Sequence, residues 1–94
     1  MTEVQRRIGV VTVTYNSAKV LPDFFESTNR QIGCEFHLYV IDNASRDESV
    51  ALSRTLAHCA TTIIANPDNV GVAEGNNQGI RKALEDGCTH VLLL

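Results

Sequence analysis

The sequence has 94 residues, 44% of them hydrophobic and 20% charged, with a formal net charge of −3 at pH 7. This length allows one small domain with a modest core, and the acidic balance gives no general attraction for nucleic acid. No apolar run reaches the roughly 20 residues that span a bilayer, and the polar start at residues 1–7 is unlike a signal peptide, so we expect a cytoplasmic protein.

The first half of the chain predicts a strand, a helix and a second strand. The β-branched run Ile8–Thr14 is typical of a strand that is buried on both faces. Pro22 is tolerated only in the first turn of a helix, so the following helix begins within residues 18–21 and extends to about residue 31. Asn16 and Ser17 offer polar caps before that helix. The second strand is predicted over Glu35–Ile41.

The second half repeats this alternation. Ser45 and Glu48 have the spacing of a capping box at the start of a helix. Gly87 is predicted to end the last helix as its C-cap. The elements predicted here are a helix over 46–57, a strand over 61–65, a helix with its amphipathic part at 78–86, and a strand over 89–94.

The order β-α-β-α-β-α-β predicts a three-layer, Rossmann-like α/β fold. Apolar strands and short connections favour a parallel sheet of order 3-2-1-4 with helices on both faces. Ligands of such sheets bind outside the carboxyl ends of the strands, where the strand order reverses. The polar residues predicted at that edge are Thr14, Tyr15, Asn16, Asp42, Asn43 and residues 66–69.

Asp42 and Tyr15 each have two interpretations. The Asp42 carboxylate could accept a ring N–H such as the imide of uracil or thymine, or it could form an Asx turn before the next helix. Tyr15 could stack on a base, or its ring could be buried at the rim. Asp47 is better explained as a favourable negative charge in the first turn of a helix.

The glycines Gly71, Gly75 and Gly79 are evenly spaced in the segment that opens the third helix. They would let the backbone and its amides approach a phosphate, or they would let the helix pack closely on the sheet. The spacing matches neither the dinucleotide-binding fingerprint nor the P-loop. Three amide side chains close to the same strand end favour a ligand site: Asn69, Asn76 and Asn77.

The cysteines and histidines predict no metal site and no disulfide framework. Three cysteines are an odd number, and they lack the CxxC spacing of zinc ligands, so we expect free thiols. The histidines have no neighbouring ligand at the required spacing. These residues are Cys34, Cys59, Cys88, His37, His58 and His90.

Three motifs occur in order along the chain: Val13–Asn16, Val40–Asp47 and the glycine-spaced segment Asn69–Gly79. Together they resemble the amino-terminal, nucleotide-binding half of a family 2 glycosyltransferase with the GT-A fold, close to its rhamnosyltransferase-like members. The resemblance covers Ile8–Leu94, so the 94 residues are expected to be one part of a GT-A domain. It implies transfer of a sugar from a nucleotide diphosphate donor, with inversion and with a divalent metal, Mg²⁺ or Mn²⁺.

The resemblance also implies a role for each motif. Thr14, Tyr15 and Asn16 would line the base and ribose pocket, Asp42 with Asn43 would bind the nucleotide, and the third motif would close over it through Asn69, Gly71, Gly75 and Asn77. The acidic metal-binding motif and the general base of the family would lie after Leu94. We therefore expect no catalytic residue and no metal ligand within this chain, and no meaningful turnover by it alone.

Two classes of function remain open from the sequence. The first is a glycosyltransferase, with this chain carrying its donor-binding half, a uridine or thymidine donor, and a glycan or lipid-linked acceptor. The second is a non-catalytic nucleotide-binding or oligomerisation module. A hydride-transferring Rossmann enzyme is disfavoured by the glycine spacing. In a full GT-A domain the last strand would be covered by the rest of the domain. A lone fragment would expose apolar surface and a sheet edge there, so we expect a homodimer.

Overall fold

The computed structural model describes residues 6–30 and 35–94 as a parallel sheet with helices on both faces. The strand order is β3-β2-β1-β4, and every neighbouring pair is parallel, which confirms the predicted fold class and order. The elements are β1 (Ile8–Thr14), α1 (Leu21–Asn29), β2 (Phe36–Asn43), α2 (Ser49–Leu56), β3 (Thr61–Asn66), α3 (Gly71–Glu85) and β4 (His90–Leu93).

The sheet separates two apolar layers because side chains alternate between its faces along each strand. One layer contains Val10 and Val40 with Leu21 and Phe25 of α1, and residues of α2 pack against it. The other contains the facing residues of β1 and β2 with Ala83 of α3. The central strands are therefore covered on both sides, as their continuous apolar sequences predict.

Strand register places the polar strand ends side by side. Thr14 pairs with Asp42, and Asn43 pairs with Asn66. The carboxyl ends of β1, β2 and β3 thus meet at one edge of the sheet, which is the edge predicted to bind a ligand.

Two helix starts differ from the prediction. The capping box is wrong: α2 begins at Ser49, the N-cap residue Glu48 makes no side-chain cap bond, and the Ser45 hydroxyl donates to Asp42. The Ser45 hydroxyl forms a stronger hydrogen bond with the Asp42 carboxylate than it would with a backbone amide at a helix cap, because the carboxylate is charged. The glycine-spaced segment does open α3, and the segment is itself helical from Gly71, seven residues before the amphipathic part predicted from the sequence.

A cavity of about 230 Å³ lies at the opposite edge of the sheet, where the amino ends of β1 and β2 meet, and is lined in part by Arg7, His37 and Cys88. The Tyr39 hydroxyl donates to Asp86 Oδ2 at 2.8 Å nearby. Burial and this hydrogen bond raise the pKa of Tyr39, while the same bond lowers the pKa of Asp86. These groups support the packing of α3 on β2. They lie away from the carboxyl ends of the strands, where the site is predicted.

The cysteines follow the prediction only in part. Cys88 is a buried free thiol. Cys59 is disulfide-bonded, so the expectation of a free thiol is wrong at that position. Cys34 lies outside the described residues. An odd number of cysteines does not show which of them form a disulfide, because a disulfide requires two cysteines to lie close together in the folded chain.

Strand β4 forms one edge of the sheet and exposes leucines on both faces. Leu92 is 55% exposed and Leu94 60% exposed, and Leu93 on the other face is also exposed. None of the helices in the described ranges is long and apolar enough to cross a membrane.

Candidate functional site

An open cavity of about 550 Å³ lies at the carboxyl ends of β1, β2 and β3. The loops that follow these three strands, with the last residue of β3, supply its lining, which places it on the edge predicted from the sequence. Its lining residues are Tyr15, Ala44, Ser45, Arg46, Asn66, Pro67, Asp68 and Asn69.

Asp42 lies beneath this cavity and is only 2% exposed. Its Oδ1 accepts hydrogen bonds from the Thr14 hydroxyl and the Ser45 hydroxyl, each at 2.6 Å. Its Oδ2 accepts the Ser45 backbone N–H at 2.9 Å, which is an Asx-type turn. The carboxylate therefore joins the end of β1 to the loop after β2, and three protein donors already occupy it.

Asn16 makes a reciprocal connection between the same two loops. Its backbone N–H donates to Ser45 Oγ, and its side-chain Oδ1 accepts the Arg46 N–H, both at 2.8 Å. Asn16 and Ala44 have φ values of 48° and 59°, which lie in the left-handed region. That region costs an alanine about 1–2 kcal/mol, so these bonds hold a strained loop in one shape.

Asp47 continues this connection toward α1. Its carboxylate accepts the Ala18 N–H and the Ser49 N–H, each at 3.0 Å, and the Ser49 hydroxyl at 2.5 Å. Hydrogen bonding from Ser49 is the main cause that lowers the pKa of Asp47, with the Ala18 N–H contributing. Asp47 therefore caps the start of α2 and fixes the loop after β1.

Asn43 is buried and fastens β2 to the start of α3. Its Nδ2 donates to the Gly71 carbonyl at 3.0 Å, and its Oδ1 accepts Asn66 Nδ2 at 3.0 Å. Asn66 also exchanges two hydrogen bonds with Gln78 of α3. Asn43 thus shapes the site from below, and its polar atoms are used within the protein.

The three glycines have different surroundings. Gly71 has φ +87° with open space around it, and its N–H is accepted by Asn69 Oδ1 at 2.9 Å. A Cβ at Gly75 would lie 3.0 Å from Val13 Cγ2, and a Cβ at Gly79 would overlap Val11. Close packing of α3 on β1 therefore explains Gly75 and Gly79, while Gly71 provides the turn that α3 needs.

The side chains free to meet a ligand are fewer than the sequence suggests. Tyr15 is 52% exposed on the cavity wall, and Asn77 is exposed on α3. Thr14, Asp42 and Asn43 are buried and support the walls. Two charged wall residues, Arg46 and Asp68, have no role in the sequence-based expectation, although residues 66–69 were predicted to lie at this edge. Neither charge has a distinguishing pattern in the sequence.

The described ranges, 6–30 and 35–94, contain no group of three or more His, Cys, Asp or Glu side chains that could hold a metal ion. Asp42 and Asp47 accept hydrogen bonds from the protein, as above. These residues do not fit the divalent metal that the resemblance implies, and we derive no chemical step through one.

Comparisons with known proteins found a matching family model, a related sequence and a similar solved structure. The family model described as "Glycosyl transferase family 2" matches residues 9–94. An uncharacterised glycosyltransferase of Haemophilus influenzae is 28% identical over 79 residues, which cover 84% of this chain and 26% of that protein. The solved structure of a mannosyltransferase from Pyrobaculum calidifontis, in complex with GDP-Man and Mn²⁺, is 27% identical with a TM-score of 0.76 and covers 84% of this chain and 25% of that one.

Proposed function

Since the chain belongs to glycosyltransferase family 2 and has its GT-A type of α/β fold, we propose that it carries the donor-nucleotide-binding part of an inverting glycosyltransferase. The observation that carries this proposal is the open cavity at the carboxyl edge, whose walls are three loops. Hydrogen bonds fix the first two loops to each other, and Asn43 of β2 binds Asn66 and Val70 at the two ends of the third. The chain spans about a quarter of the length of the relatives it matches. We propose that residues 1–94 form the amino-terminal part of one GT-A domain.

The arrangement fits nucleotide binding for a physical reason. The loops are already held in one conformation, so a ligand would not have to order them, and the exposed Tyr15 ring offers a stacking surface for a base. Support for a nucleotide sugar as the donor comes from the mannosyltransferase, which was solved with GDP-Man. Binding and orienting the donor is the part of the reaction that these residues can perform.

Transfer itself needs further groups. A general base typically contributes about 10²- to 10⁴-fold to a rate, and a metal ion would neutralise the leaving diphosphate. The mannosyltransferase was solved with Mn²⁺. We propose that a divalent metal and the base are supplied by other parts of the GT-A domain, and that this chain alone does not turn over.

Three finer expectations from the sequence concern the base, the acceptor and the location, and the last two stay proposals. A uridine or thymidine base would need the ligand to reach Asp42, whose carboxylate is only 2% exposed. A glycan or lipid-linked acceptor and a cytoplasmic location rest on the sequence and the family alone.

Calorimetric titration of the chain with UDP, TDP and GDP tests the proposal. We expect at least one to bind with a dissociation constant below a few millimolar. Tyr15→Ala should weaken it about fivefold or more, because stacking on an aromatic ring contributes about 1–3 kcal/mol per base. Leu84→Ala, an exposed change at the far end of α3, is the matched control and should leave affinity unchanged. Absence of binding by all three nucleotides at millimolar concentration would refute the donor pocket.

We also propose that the chain forms a homodimer through β4. Its leucines are exposed on both faces, and its outer edge has no partner strand among the described residues. Such an edge favours pairing with a second copy. Light scattering at about 100 µM should give twice the chain mass, and Leu92→Lys should return the monomer by placing a charge in the contact. A monomer at every concentration would contradict this proposal.

A further inference from the structure

We infer that the cavity selects guanine as the base of the donor, through Arg46 and Asp68, in place of the pyrimidine expected from the sequence. This inference rests on the proposed function, because it names the ligand of the same site. It differs from that proposal in assigning recognition to two residues that no motif singled out.

Arg46 is presented to the cavity by its backbone. Its N–H donates to Asn16 Oδ1, which fixes the residue and leaves the side chain exposed on the cavity wall. Within residues 6–30 and 35–94, the ion pairs involve Arg30, Arg81 and Lys82, and the Arg46 guanidinium has no such pair and no hydrogen bond. A guanidinium carries five N–H donors and no acceptor, so it seeks an acceptor pair.

Asp68 places a negatively charged hydrogen-bond acceptor on the wall of the same cavity. It lies in the turn after β3, is exposed, and accepts no hydrogen bond from the described part of the chain. A carboxylate accepts two neighbouring N–H groups at once. Asp68 would repel a phosphate group, so this cavity suits the base end of a nucleotide rather than its diphosphate.

Guanine matches this pair of charges better than uracil, thymine or adenine do. It presents two acceptors, O6 and N7, which a guanidinium meets in a bidentate way, and two adjacent donors, N1–H and the 2-amino group, for a carboxylate. Uracil and thymine have one ring N–H between two carbonyl oxygens. One oxygen of the Asp68 carboxylate could accept that N–H, but the other would face a carbonyl oxygen, which is also an acceptor. Adenine places an amino group where guanine has O6 and so opposes the guanidinium.

The position of Asp42 removes the main argument for a pyrimidine. Its carboxylate is buried and already accepts three hydrogen bonds from Thr14 and Ser45. Reading a base through it would require the ligand to reach a carboxylate that is only 2% exposed. The two wall charges need no such exchange.

Titration of the chain with GDP, UDP, TDP and ADP, followed by calorimetry, tests the inference. We expect GDP to bind at least fivefold more tightly than the other three. Arg46→Gln and Asp68→Asn should each weaken GDP about 5- to 100-fold and change UDP less than twofold. Arg46→Gln keeps the backbone bond to Asn16, so the fold is preserved, and the melting temperature of each variant checks this. Arg54→Gln and Asp23→Asn replace exposed charges outside the cavity and serve as controls.

The outcomes separate this inference from the proposed function. Equal or tighter binding of UDP, TDP or ADP would overturn the selection of guanine and leave the donor pocket standing. An equal loss of GDP and UDP affinity in Arg46→Gln would overturn the base contact, since it would place the guanidinium on the phosphates. Absence of binding by every nucleotide would refute the proposed function itself.

Discussion

Replacing Gly79 with valine is expected to destabilise the chain by about 3 kcal/mol or more, a large share of the roughly 5–15 kcal/mol that a domain has. A Cβ at this position would overlap Val11 Cγ1 and lie 3.0 Å from its Cγ2. Val11 lies in β1, is fully buried, and packs in one apolar cluster with Ala83 of α3, so its side chain cannot move aside easily. The helix would therefore move away from the sheet. Urea unfolding followed by circular dichroism measures the change in the free energy of unfolding.

Two further variants isolate the cause. Ala73→Val places the same side chain at an exposed position of α3 and should change stability by less than about 1 kcal/mol. Gly79→Ala combined with Val11→Ala should lose less than the sum of the two single changes, because the smaller residue 11 makes room for the new methyl group. A Gly79→Val protein as stable as the wild type would contradict close packing of α3 on β1.

Asp42→Ala is expected to cost about 2–4 kcal/mol and to abolish nucleotide binding. The change removes the acceptor of the buried Thr14 hydroxyl and of both Ser45 donors, so these groups would lose their partner in a place that water reaches poorly. The loop carrying Arg46 would then lose its connection to β1. Urea unfolding and GDP titration of the same preparation measure both effects.

Asp23→Ala is the control for this prediction, since Asp23 is an exposed carboxylate in the first turn of α1. It should alter stability only slightly and leave affinity unchanged. If Asp42→Ala lost affinity at unchanged stability, Asp42 would contact the ligand directly, as the sequence suggests. Unchanged stability together with unchanged affinity would contradict the structural network described above.

The architecture was largely predictable from the sequence. Strands such as Ile8–Thr14 are continuous β-branched runs, and the alternation with amphipathic helices leaves few possible topologies. The edge that carries the site follows from topology as well, because strand ends of a parallel sheet share one edge. Element ends were less predictable: the capping box of Ser45 was wrong because Asp42 competes for its hydroxyl.

The roles of individual site residues were harder to predict. Asp42, Asn43 and Thr14 have ligand-like side chains, yet each is buried and bonded within the protein. Whether such a group faces a ligand or a neighbour depends on loop pairings across about 30 residues of sequence, which local spacing does not encode. Arg46 and Asp68 were missed for the converse reason, since an isolated surface charge has no distinguishing pattern.

Mapping the nucleotide on the chain by NMR tests the central claim most directly. Titration of ¹⁵N-labelled protein with GDP should produce saturable shifts of the backbone amides of Tyr15, Asn16, Arg46 and Asn69, which belong to the loops at the carboxyl edge of the sheet. Amides at the opposite edge, such as Arg7 and His37, should remain unchanged. Shifts that are largest at that opposite edge, or no shifts with any nucleoside diphosphate at millimolar concentration, would contradict a donor-binding site in this cavity.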